Sequence, residues 1–144
     1  QLKTKLEPQG INLVAVPAQR SSEVLTAARS LNGKVDLIYT SLDNNVASSY
    51  ESMYKASVEM KAPLVAADIE TVSRGAVAGL GVSFYGIGRK AGGITADILN
   101  GRKAGEIPSA GMEQLELVVN MKHAAAVGIK LPEALVEKAK TVQQ

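Results

Sequence analysis

Thr40, Ser41, Asp43 and Asn44 form a row of short hydrogen-bonding side chains that ends the apolar run at residues 35–39. Asp68 closes a second apolar run, and Ser83 and Tyr85 follow a third. A carboxylate at such a place can pair with an amine or a hydroxyl. Amides, hydroxyls and the free N–H groups of a helix start can hold a carboxylate. Asp43, Asn44 and Asp68 also have a plainer role, because Asp and Asn are good helix N-caps. What points past capping is convergence: three polar turns on one edge of a sheet would line a cleft.

Other chemistry is weaker. Residues 86–91, GIGRKA, have the spacing of a dinucleotide fingerprint. They do not sit at the first strand-to-helix turn, and no strand ending in an acid follows to hold a ribose. The plainer expectation is that Gly86, Gly88, Gly92 and Gly93 let a helix pack closely on a sheet. The single histidine, His123, has no nucleophile suggested near it, so it reads as a packed or solvated surface residue. Glu113 and Glu116 fall on opposite faces of a strand, which argues against paired acid–base work. Arg89 reads as cover for the flank of its helix. The chain has no cysteine, which excludes thiol catalysis, disulfides and cysteine-based zinc sites. No cofactor and no metal are expected.

The elements that must place these groups follow from hydrophobic period. Strands are expected at residues 11–18, 35–40, 63–68, 76–83 and 114–120. Helices are expected at 21–33, 44–62, 69–75 and 85–101, and two more close the chain, broken at Gly128 and Pro132. Strand–helix alternation predicts an α/β fold: a doubly wound parallel sheet with helices on both faces. In such sheets ligands bind beyond the carboxyl ends of the strands, where the polar turns lie.

The chain has 144 residues, enough for one domain with a real core, and its formal charge is +2. Basic residues are scattered and aromatics few, so nucleic acid is not an expected partner. No run approaches the roughly twenty apolar residues of a membrane span. The opening residues, QLKTKLEPQG, read like the end of a helix.

Three stretches together carry a family likeness: GKVDLIYTSLDNNVASS, APLVAADIETVSRGAVAGLGVSFYGIGRKAGGITADILNG and LELVVNMKHAAAVGIKLPEAL. In order and spacing they resemble the second half of bacterial ABC-transporter substrate-binding proteins of the tryptophan/tyrosine type. The resemblance implies one lobe of a periplasmic-binding-protein-like clamp that grips a small solute, an amino acid or similar compound, against a second lobe. It implies a non-enzymatic import component, a membrane permease as partner, and a periplasmic or extracytoplasmic location, a membrane-anchored lipoprotein included. The positions matching the family's cleft-facing turns are Thr40, Asp43, Asn44, Asp68, Ser83 and Tyr85. The family commonly has an acid where Ser83 stands, so one partner for an α-amino group is absent and other solutes stay open.

The resemblance also divides the chain into residues 1–111, the solute-binding lobe without its first strand, and 112–144, the last strand, hinge and closing helices. It implies a fragment, with a strand missing beside residues 11–16 and self-association through the exposed sheet edge. Two rival functions remain at this point: the ligand-sensing core of a transcription regulator, and a nucleotide-using α/β enzyme.

Overall fold

The computed structural model describes residues 2–143. Five strands lie side by side in chain order: β1 (Ile38–Thr40), β2 (Leu64–Ala66), β3 (Ala78–Gly81), β4 (Glu116–Asn120) and β5 (Thr141–Gln143). The interior strand β2 serves both faces by alternation. Leu64 and Ala66 join Ile38 and Val118 in a core under α2 (Val24–Arg29) and α4 (Tyr50–Met60). Val65 turns the other way, to Ala78 and Val119 and the core under α6 (Met121–Ala126) and α7 (Glu133–Lys138). The α/β lobe with helices on both faces is therefore the fold.

The sheet is not parallel throughout. β1, β2 and β3 are parallel, and so are β4 and β5, but β3 and β4 run antiparallel. A parallel neighbour requires the connection to return across the sheet to the strand's starting end. The connection after β3 carries α5 (Phe84–Leu99), which has no buried residue and so does not pack back on the sheet. The chain re-enters the sheet from the end at which it left.

Other expectations change in detail. Residues 11–18 form no strand and are mostly exposed. Among the described residues β1 has β2 as its only ladder partner, and residues 11–18 join no ladder. The expected helix at 44–62 is broken at Ser49 (φ −123°, ψ 28°), which separates α3 (Asn44–Ser48) from α4. The helix expected at 69–75 is a tighter 3-10 turn, Glu70–Arg74. The last expected helix stops at Lys138, because Ala139 is already extended and the chain continues as β5. The expected helix end near the start is α1 (Leu2–Leu6), which runs into a 3-10 turn stopped at Gly10.

Gly79 and Gly81 bear directly on the cleft. A Cβ on Gly79 would lie 2.7 Å from the carbonyl oxygen of Asp68, and one on Gly81 would lie 2.7 Å from that of Ala67. Their bare backbone lets the Ala67–Asp68 turn lie against β3.

Candidate functional site

A hollow of about 260 Å³ opens beyond the ends of β1 and β2. Its lining brings together Thr40, Ser41, Asp43, Asn44 and Asp68, five of the residues expected from sequence. Ser83 and Tyr85 are not among the lining residues; Phe84, between them in sequence, is. Tyr85 is exposed elsewhere on the surface, and Ser83 caps α5 by accepting from the Gly86 N–H at 3.2 Å. Side chains at successive positions near a helix start point in different directions, so only one of three adjacent residues faces the hollow.

Capping and lining coexist. Asp43 accepts from the N–H groups of Asn45 and Val46 through one oxygen, Oδ1, at 2.8 and 3.0 Å. Asp68 accepts from the Glu70 N–H at 2.9 Å, also through Oδ1. Each carboxylate thus spends one oxygen on backbone, and its second makes no hydrogen bond within the described residues. The first N–H groups of α5, at Phe84 and Tyr85, lie at the helix end where the ladder has no acceptor for them.

The floor is a buried hydroxyl network. The Thr40 and Tyr50 hydroxyls are 3.1 Å apart and buried. Thr71, also buried, donates to the Asp68 carbonyl at 3.0 Å. Burial pushes the Tyr50 phenol above its ordinary pKa, so it stays protonated at neutral pH and keeps its donor.

Sequence reasoning missed the apolar lining as well as Tyr50 and Thr71. Leu42 is 67 % exposed and Phe84 56 %, and both lie on the hollow with Val46 and Ala47. Leu42 carries a usable signal, an apolar side chain set among five polar neighbours. Phe84 carries none, since a single aromatic at a helix start looks like any packing residue.

A larger hollow of about 360 Å³ lies between α5 and residues 110–112. Its lining is apolar except for Lys90, whose ammonium already donates to the Gly111 carbonyl at 2.7 Å. It offers no second polar group to orient a solute. The glycines of α5 do not do what was expected. Gly86 begins inside α5, Gly88, Gly92 and Gly93 face open space, and the helix packs on no sheet. A dinucleotide fingerprint needs its glycines in the turn before the helix. His123 packs against Tyr54, with ring centres 4.7 Å apart and planes tilted by 41°, and lines neither hollow. Glu116 pairs with Lys140. Among the described residues no cluster of His, Asp and Glu has metal-ligand grouping.

Residues 1–143 match the sequence profile of a family described as ABC transporter substrate binding protein. A tyrosine-binding protein of Clostridioides difficile (strain R20291) is 37 % identical over 100 residues, 69 % of this chain and 29 % of that protein. A conserved domain protein from Vibrio cholerae superposes with a TM-score of 0.90 at 35 % identity, over 99 % of this chain and 48 % of that one. A substrate binding protein with adhesive properties from Clostridium difficile, in its ligand-free open structure, gives 0.74 at 32 %, over 99 % and 48 %. An ABC domain in complex with L-Trp from Streptococcus pneumoniae gives 0.87 over 97 % and 48 %; at 24 % identity it shows the fold alone. The chain spans about half the length of these structures.

Proposed function

Because the chain belongs to the ABC transporter substrate-binding protein family, we propose that it forms one lobe of a two-lobed clamp that captures an amino acid with an aromatic side chain for import. The observation that carries the reading is the single hollow in which Asp43, Asp68, Asn44 and Ser41 meet the apolar faces of Leu42 and Phe84. The tyrosine-binding relative supports the solute class. In this reading the second oxygens of Asp43 and Asp68 pair with the ammonium, taking the part of the acid absent at Ser83. Asn44, Ser41 and the free N–H groups at the start of α5 hold the carboxylate. Leu42 and Phe84 cover the ring. The lobe acts by binding and not by catalysis, outside the cytoplasm, and hands its solute to a membrane permease.

Calorimetry with L-Trp and L-Tyr tests this on the chain extended to the full length of its relatives. One of the two binds, and Asp68→Asn weakens it by about tenfold or more, the loss of a charge-assisted contact. The 144-residue chain alone binds far more weakly, because half the contacts and the exclusion of water by closure are gone. The reading fails if the extended protein binds neither amino acid, or if Asp43→Asn and Asp68→Asn both leave affinity unchanged.

A further inference from the structure

We propose that Arg74 is a positioning residue for the cleft, clasping the helix that carries Asp43 and Asn44 to the turn that follows Asp68. This inference rests on the solute-binding reading of the same hollow.

The helix in question, α3, has no fully buried residue, and its packing on the core comes from the half-buried Val46. Polar tethers add to that hold. The Asn45 amide donates to the Gln19 carbonyl at 3.0 Å, and the Ser48 and Ser21 hydroxyls are 3.0 Å apart. These tie α3 to residues 19–21. A separate tether comes from Arg74, at the end of the 3-10 turn that begins two residues after Asp68. Its Nη1 donates to the Ala47 carbonyl within α3 at 2.7 Å. Its Nε and Nη2 grip both oxygens of Glu51 on α4, each at 2.8 Å. Its guanidinium carbon lies 5.9 Å from the centre of the Tyr50 ring, whose hydroxyl meets Thr40. One planar fork thus touches α3, α4 and the cleft floor from the segment that carries Asp68. Three donors in fixed directions fix a geometry that an ammonium would not. Ala47, Tyr50 and Asp68 all line the hollow, so a change in this fork moves the walls.

The molecule contains its own control. Arg29 grips Glu59 with the same two-pronged geometry, at 2.9 and 2.9 Å, but touches no cleft residue. Both pairs are exposed enough that their worth as bare ion pairs is small. If Arg74 were only another surface pair, removing either fork would have the same effect.

The experiment compares Arg74→Met, Arg74→Lys and Arg29→Met in the chain extended to the full length of its relatives. Calorimetry with L-Trp and L-Tyr is paired with amide hydrogen exchange of the ligand-free protein. Arg74→Met weakens binding by about tenfold, the loss of one hydrogen bond from a charged group. It also speeds exchange at residues 45–49 while the amides of β2 and α4 stay protected. Arg74→Lys keeps the charge but loses the fork, and recovers only part of both effects. Arg29→Met changes neither. Equal affinities in the Arg74 and Arg29 variants, or unchanged exchange at residues 45–49, overturn the proposal. A parent protein that binds neither amino acid sinks the solute reading instead, and the exchange arm still decides whether Arg74 holds α3.

Discussion

Two apolar runs of similar composition, INLVAV at residues 11–16 and LVA in β2, have opposite fates. In β2, Leu64 is 0 % exposed, and strands pair on both sides. In the first run Ile11 is 48 % exposed and Val14 45 %, and the backbone enters no ladder. Both sequences carry the β-branched, apolar residues that favour strands. The difference is the neighbour. A strand is stabilised by the ladder and the side chains on either side of it, so propensity without a partner leaves an extended, wet chain. The same lack shows at β1. Alternation turns the N–H and C=O groups of Tyr39 away from β2, and Leu37 and Tyr39 are both exposed.

This contrast can be broken by identical deletions on its two sides. Leu64→Ala costs about 3 kcal/mol or more, the range for a fully buried leucine that leaves a cavity. Leu13→Ala, the same change in the unpaired run, stays within about 0.5 kcal/mol. Urea denaturation followed by circular dichroism reads both, and equal costs would show that residues 11–16 are packed. Next in size is Tyr50→Phe, which leaves the Thr40 hydroxyl only its long 3.5 Å contact to the Val65 carbonyl. It lowers stability by about 1 kcal/mol in the same assay. No loss would mean that the buried hydroxyl pair adds nothing to the packed half.

The smallest effect concerns a contact that is neither packed nor absent. The Arg74 fork holds the Glu51 carboxyl down to about pKa 2, from an ordinary 4.5. Between those values the unfolded chain takes up a proton that the folded one refuses. The contribution of Glu51 is therefore fully present above about pH 4.5 and is lost as pH falls toward 2. Thermal melts of the parent and Glu51→Gln should differ near neutral pH and converge across that window. Parallel curves from pH 6 to 2 would mean that the fork does not form in solution.

Much of the cleft was legible because capping chemistry is local. Asp43 and Ser83 cap α3 and α5 as their side chains allow, and Asp43 with Asp68 marks the ends of the apolar runs that became β1 and β2. Phe84, Tyr50 and Thr71 were not legible, since their place on the hollow depends on how three elements cross. The reversal between β3 and β4 was hidden for a similar reason. Hydrophobic period says that a strand exists but not the end from which the chain enters it.

The amino-acid sequence alone determined the order of strands and helices between residues 35 and 120, where the polar turns fall, and which side chains can end a helix. Those properties depend on residues a few positions apart. Only the tertiary structure decided which turns share a wall, which apolar run finds a ladder, and that one guanidinium joins α3, α4 and the turn after Asp68. These are contacts between distant segments, and the free energy that selects them comes from burial and pairing that no local stretch contains.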